Sequence, residues 1–105
     1  MGKFVRTAKI GEIEPGKAMR VEIEGERIAL FNVDGSYYAI SDVCTHEEAS
    51  LSEGSLQGEI VSCPRHGARF NVRTGQVLSL PAILPIATYP VRVEGSDILI
   101  SLPEE

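Results

Sequence analysis

Apolar and polar residues alternate along several short stretches of the chain. Met19, Val21 and Ile23 alternate with charged residues, which is the period-two pattern of a half-buried strand. The stretch 91–94 repeats this pattern near the end of the chain. Each stretch therefore predicts a strand with one face against a core and one face in water.

Turn-forming residues separate these stretches. The β-rich run 27–33 and the run 36–40 flank Asp34-Gly35, a pair typical of two-residue hairpin turns. A further strand is predicted at 98–102, and we find no convincing amphipathic helix of ten residues or more. Short strands joined by tight turns predict an antiparallel all-β sandwich or barrel.

The middle of the chain, from about 41 to 85, has a different pattern. Gly, Ser and Pro are more frequent, and the predicted strands at 59–62 and 69–72 are short, with a turn at 73–75. A loop-rich insert in a strand scaffold is a common place for a functional site, because rigid strands can hold the loops. We interpret residues 1–105 as a single domain that carries this insert.

Composition narrows the class of protein. Ten basic and fifteen acidic residues give a net charge of −5, which argues against a nucleic-acid binder. The first residues contain no apolar signal-peptide core, and Pro81, Pro85 and Pro90 interrupt the longest apolar stretches. We therefore expect no membrane association and a cytoplasmic location, where thiols stay reduced.

All the cysteines and histidines of the chain fall within 23 residues. They form two pairs, Cys44 with His46 and Cys63 with His66, and sixteen residues separate the pairs. A Cys and a His two or three positions apart on one loop can both face a single metal centre. Two such loops supply two sulfur and two nitrogen ligands, a set that suits zinc or an iron–sulfur cluster.

A disulfide and a structural zinc site fit the four residues less well than a two-iron cluster. A disulfide between Cys44 and Cys63 would leave the two histidines unexplained and does not suit the cytoplasm. Structural zinc sites usually combine a close pair of cysteines with a close pair of histidines, whereas each loop here supplies one of each. Mixed loops suit a two-iron cluster better, with the cysteines on one iron and the histidines on the other.

At these residues the chain resembles the Rieske ferredoxins, in particular the ferredoxin components of bacterial aromatic-ring dioxygenase systems. Their signature is Cys-x-His, about sixteen residues, then Cys-x-x-His-Gly. The matching segments here are Cys44-Thr45-His46, Cys63-Pro64-Arg65-His66-Gly67, 50–54, 70–75 and 80–82.

The resemblance implies a Rieske-type fold, a [2Fe–2S] cluster and a role as a one-electron carrier that is not itself an enzyme. Cys44 and Cys63 would bind the inner iron, and His46 and His66 the outer iron. The segment around Pro81 would close the third side. The implied partners are a flavin-containing, NAD(P)H-dependent reductase and a terminal oxygenase, and a monomer is the simplest expectation. The alternatives are a small subunit of an assimilatory nitrite reductase and a zinc-stabilised interaction module.

Departures from the respiratory Rieske proteins bear on the reduction potential. Those proteins carry Ser and Tyr where this chain has Ala68 and Phe70, which offer no hydroxyl to the cluster sulfurs. They also carry an extra disulfide and a shielding Leu, the latter matched here by Glu47. Hydrogen bonds to sulfur stabilise the more negative reduced state, so fewer of them lower the potential. We therefore expect a value near the low end of the Rieske range, about −150 mV.

Overall fold

The computed structural model describes residues 3–43, 49–64, 67–79 and 84–102. Within these ranges, every strand pairing is antiparallel, and the strands form three sheets. Two short 3₁₀ turns, Ile10–Glu12 and Leu51–Glu53, complete the regular structure of the described residues. The predicted antiparallel all-β class is confirmed. The prediction of one domain over residues 1–105 stays a prediction.

The first sheet joins opposite ends of the chain. It contains β1 (Lys3–Lys9), β10 (Val91–Glu94) and β11 (Asp97–Leu102), with β11 in the centre. Val5 on β1 lies opposite Ile100 on β11. The predicted strands at 91–94 and 98–102 are confirmed, whereas β1 was not predicted.

The second sheet forms the middle layer. It is ordered β2, β3, β4, β9, and its strands are β2 (Ala18–Ile23), β3 (Glu26–Val33), β4 (Ser36–Ser41) and β9 (Thr88–Tyr89). Asp34 and Gly35 both have positive φ, 53° and 94°, as the predicted tight turn between β3 and β4 requires. The Asn32 Oδ1 accepts a hydrogen bond from the Gly35 N–H at 2.8 Å.

The third sheet lies within the predicted insert. It contains β5 (Ser55–Gln57), β6 (Ile60–Ser62), β7 (Arg69–Asn71) and β8 (Val77–Ser79), in that order. The predicted strands at 59–62 and 69–72 correspond to β6 and β7. Their connection carries Cys63, so this sheet positions one half of the predicted site.

Strand β3 separates two hydrophobic cores. Its residues Ile28, Ala29, Leu30 and Phe31 are fully buried, because both faces of the strand are covered. One face contributes to a core with the first sheet that contains Ala8, Ile13, Ile23, Ile28, Leu30, Ala39, Ile98 and Ile100. The other contributes to a core with the third sheet that contains Ala29, Phe31, Ile40, Leu51, Val61, Cys63, Ala68, Phe70, Val72 and Ile86. The second core contains Cys63, the one predicted ligand among the described residues.

The alternation at 91–94 predicts that Val91 and Val93 both face the core, but the structure buries them less than expected. Val91 is half-buried, but Val93 is 45% exposed. Strand β10 is an edge strand of the first sheet, so its inner face has fewer neighbours than that of the central strand. No helix in the described ranges has the length and apolar character needed to cross a bilayer.

Candidate metal centre

The chain on either side of residues 44–48 is joined by backbone pairing. Val43, which follows β4, forms an antiparallel bridge with Ser50. The Leu51 N–H donates to the Asp42 carbonyl oxygen at 2.7 Å. These contacts fix the two flanks of the segment that contains the first predicted Cys–His pair.

The second predicted pair begins at Cys63, directly after β6. The Cys63 N–H donates to the Ala68 carbonyl oxygen at 2.7 Å, and the Gly67 N–H donates back to the Cys63 carbonyl oxygen at 3.1 Å. Gly67 adopts a φ of 76°, in the left-handed region that glycine occupies without steric cost. Cys63 is a free thiol and only 3% exposed, so it is held in the core by a closed turn.

A glycine brings the two flanking regions into contact. A methyl group at Gly54 would overlap the carbonyl oxygen of Ser62, the residue before Cys63. Gly54 has an ordinary φ of −81°, so this position needs glycine for space and not for backbone conformation. Leu51 and Cys63 also share one core. The chain after the first pair therefore packs directly on the chain before the second.

A third segment is fixed at the same core. The Ile86 N–H donates to the Gly75 carbonyl oxygen at 2.9 Å. A methyl group at Gly75 would overlap the carbonyl oxygen of Ile86, and Gly75 has a φ of 81°. The hydrogen bond and the close approach of the Ile86 carbonyl oxygen to Gly75 fix Ile86 against the turn between β7 and β8. Ile86 follows the segment around Pro81, which is the predicted third side of the site.

The structure describes one of the four predicted ligands. Cys44, His46 and His66 lie outside the described residues, as do Glu47 and the segment around Pro81. Among the residues that are described, no group of three or more His, Cys, Asp and Glu side chains gathers at one point. The four-residue ligand set therefore stays a prediction, with Cys63 placed in a buried, free form.

The surroundings of Cys63 fit a metal group held through sulfur. Thiolate is a soft ligand, and its site needs a shielded, largely apolar shell. Ala68 and Phe70 are fully buried in the same core as Cys63, and both lack a hydroxyl. The closed turn at Cys63 and the contact of Gly54 with Ser62 bring the flanks of the two predicted loops together, which a group shared by both loops requires.

Sequence reasoning missed the polar residues that support the first loop. Asp42 is 1% exposed, and its carboxylate accepts hydrogen bonds from the Ser50 hydroxyl and, at 2.7 Å, from the Ser52 N–H. An acidic residue directly after a strand and two positions before a predicted ligand was the available signal. It does not reveal burial, because the partners lie eight and ten positions further along the chain.

Among the residues that the structure describes, the Tyr89 hydroxyl has a clearly shifted pKa. Burial raises the pKa of the Tyr89 hydroxyl above its usual value, and the nearby Glu26 carboxylate raises this pKa further. The Tyr89 hydroxyl donates to Glu26 Oε1 at 3.3 Å, which links β9 to the start of β3. We assign this pair a structural role in the middle sheet.

Comparison with protein families and curated proteins gives close matches. A model of the Rieske [2Fe-2S] domain matches residues 3–90. The chain is 45% identical over 98 residues to the biphenyl dioxygenase ferredoxin subunit of Pseudomonas sp. (strain KKS102), covering 92% of this chain and 90% of the relative. It is 51% identical over 96 residues to the 3-phenylpropionate/cinnamic acid dioxygenase ferredoxin subunit of Shigella boydii serotype 4 (strain Sb227), covering 90% of each.

Solved structures resemble the chain over almost its whole length. The ferredoxin of Sphingomonas yanoikuyae B1 superposes with a TM-score of 0.90 at 33% identity, covering 96% of this chain and all of that one. A ferredoxin chain in a complex of reduced oxygenase and oxidised ferredoxin of carbazole 1,9a-dioxygenase gives 0.89 at 35%, covering 93% and 92%. A putative NADH-dependent nitrite reductase small subunit of Mycobacterium tuberculosis gives 0.89 at 24%, covering 100% and 99%, which is a likeness of fold alone.

Proposed function

The chain belongs to the Rieske [2Fe–2S] domain family, and we propose that it is the electron-carrying ferredoxin of an aromatic-ring dioxygenase system. The observation that carries this proposal is the 45% and 51% identity, over nine tenths of the chain, to proteins named as ferredoxin subunits of such systems. Those relatives are electron-transfer components, so the chain is a carrier and not a complete enzyme.

The family implies a Rieske-type [2Fe–2S] cluster, which takes up and gives back a single electron when bound. We assign Cys44 and Cys63 to the inner iron and His46 and His66 to the outer iron. The buried thiol of Cys63 and the closed turn that holds it support this assignment. Two neutral imidazoles in place of two thiolates leave the site less negative, which raises its potential above that of an all-cysteine site.

The partners follow from the same relationship. A ferredoxin related to this chain is found in a complex with its oxygenase, which supports delivery of the electron to a terminal oxygenase. We propose a flavin-containing, NAD(P)H-dependent reductase as the donor and a cytoplasmic, monomeric carrier. Putative nitrite reductase small subunits resemble the chain at 24% and 29% identity, below the 45% and 51% of the dioxygenase ferredoxin subunits, so they do not favour that alternative. No observation favours the zinc-stabilised module.

The proposed function is tested by spectroscopy followed by electron delivery. The anaerobically purified protein should contain iron and acid-labile sulfide, and after dithionite reduction it should give a Rieske-type EPR signal. The reduced protein is then mixed with the oxygenase component of an aromatic-ring dioxygenase, and we expect it to be reoxidised as the oxygenase is reduced. A colourless zinc protein would contradict the cluster, and transfer only to an assimilatory nitrite reductase would contradict the partner.

Adding hydroxyls near Cys63 should raise the reduction potential from its expected value of about −150 mV. In an Ala68→Ser, Phe70→Tyr double variant, each hydroxyl can hydrogen-bond to sulfur and stabilise the reduced site. A net hydrogen bond is worth about 1 kcal/mol. A tenfold change in an equilibrium constant corresponds to about 1.4 kcal/mol and, in a one-electron couple, to about 59 mV. The reduction potential should therefore rise by on the order of 50 mV per bond.

Protein-film voltammetry measures this change. The matched control is Ala39→Ser, which adds the same hydroxyl to a buried alanine of the other core, where Ala39 is 2% exposed. Its potential should equal that of the wild type. A clearly positive wild-type potential, or a double variant with full iron content and an unchanged potential, would show that the hydroxyl argument does not hold here.

A further inference from the structure

We propose that Asp42 is a positioning residue for the cluster, whose carboxylate fixes the base of the first ligand loop and whose negative charge lowers the reduction potential. The proposal rests on the proposed function, since it takes Cys44 to be a ligand. It concerns a residue that neither the motif nor the sequence pattern singles out.

The contacts of Asp42 place it at the base of the loop. Its side chain is almost completely buried, and both carboxylate oxygens are occupied, Oδ1 by the Ser52 N–H at 2.7 Å and Oδ2 by the Ser50 hydroxyl. Its backbone N–H donates to the Arg27 carbonyl oxygen at 2.9 Å, and its own carbonyl accepts from the Leu51 N–H. Asp42 therefore ties the end of β4 both to β3 and to the chain that returns after the loop.

The chain itself keeps Asp42 close to the proposed ligand. Two residues span at most about 7 Å between Cα atoms, so the Cα of Asp42 lies within that distance of the Cα of Cys44. The hydrogen bonds come from a hydroxyl and an amide, which satisfy the oxygens without cancelling the net charge. Arg20 and Arg27 line an open cleft of about 320 Å³ that also includes Asp42; Arg20 is exposed and Arg27 is half-buried, and both cations stay in place in a variant that removes only the carboxylate charge.

A buried negative charge beside the cluster opposes the arrival of an electron. Interactions between charges are less screened in the interior than at the surface, so this one acts more strongly than an exposed carboxylate. Removal of the charge, with the hydrogen bonds kept, should therefore shift the potential to a more positive value. Asp42→Asn is the suitable change, because its amide oxygen can accept from Ser52 and its amide nitrogen can donate to the Ser50 hydroxyl.

The experiment compares three variants of the cluster-loaded protein. Asp42→Asn should retain the iron content of the wild type and have a more positive reduction potential. Asp34→Asn removes the same charge at the exposed hairpin tip, at the opposite end of β4, and should leave the potential unchanged. Ser50→Ala removes one hydrogen bond and keeps the charge, so it should give no positive shift. An unchanged potential in Asp42→Asn, or an equal positive shift in either of the other variants, overturns the proposal.

A second measurement covers the case in which Asp42→Asn fails to bind the cluster. The apo forms of the wild type and Asp42→Asn are compared by far-UV circular dichroism and urea unfolding. Loss of iron with the β-sheet spectrum and unfolding midpoint retained supports the positioning role. Loss of the fold overturns it, because Asp42 would then be a general structural residue. The wild type is measured before any variant. If it gives no Rieske EPR signal, the proposed function itself has failed.

Discussion

A Cys63→Ala variant is expected to purify colourless, with no bound iron and no EPR signal after reduction. In the proposed ligand set the Cys63 thiolate bonds directly to an iron, and we expect the remaining ligands not to retain the cluster once one of the two sulfurs is lost. The side chain is 3% exposed, so no solvent ligand can readily replace it. Iron and sulfide analysis, together with the visible spectrum, measures the loss.

The control for Cys63→Ala must separate the lost bond from the lost packing. Val72→Ala truncates another residue of the same core, 1% exposed, and should reduce the free energy of unfolding by roughly 2 kcal/mol. We expect this control to keep its cluster and its colour. A Cys63→Ala protein that remained brown, with two irons per chain, would remove Cys63 from the ligand set.

A Gly75→Ala variant should be destabilised both by its left-handed backbone conformation and by overlap with a neighbouring carbonyl oxygen. An alanine in the left-handed region costs about 1–2 kcal/mol, and overlap with the carbonyl oxygen of Ile86 adds about 1–3 kcal/mol. The total, about 2–5 kcal/mol, is a large part of the 5–15 kcal/mol that stabilises a typical domain. Urea unfolding of the apo-protein, extrapolated linearly to water, measures it.

Gly16 provides a closely matched control. Its φ is 82°, against 81° for Gly75, but nothing lies within 4 Å of the position that a methyl group would occupy. Gly16→Ala should therefore lose only the conformational part, about 1–2 kcal/mol. Equal losses in the two variants would mean that the approach of Ile86 to Gly75 adds nothing to stability.

The strands that could be predicted from sequence are those with strong local patterns. β2 shows its alternation in Met19, Val21 and Ile23, and the hairpin after β3 is marked by Asp34 and Gly35. β5, β8 and β9 were missed because two or three residues are too few to establish a period, whereas the equally short β6 and β7 were predicted as parts of the longer runs 59–62 and 69–72. β1 was missed because its charged residues obscure the pattern, and its stability comes from pairing with β11, which no local signal encodes.

The candidate site also combines residues that local sequence predicts with residues that it does not. The spacing of Cys44, His46, Cys63 and His66 is visible in the sequence because ligand chemistry needs particular residue types at short intervals. The contact of Gly54 with Ser62, and the burial of Asp42, arise only after the chain has folded back on itself. A glycine chosen for space looks the same in sequence as a glycine chosen for a turn, so its role could not be inferred in advance.

The pairing of β1 with β11 has a consequence for how the protein folds. Val5 and Ile100 are 95 positions apart, so the first sheet has a high contact order. The chain loses the entropy of closing this long loop before the stabilising contacts of the sheet form. The third sheet, which carries Cys63, is complete within residues 55–79 and joins neighbours in sequence. The rate of folding is thus expected to depend on the pairing of the distant strands β1 and β11, and much less on assembly of the third sheet.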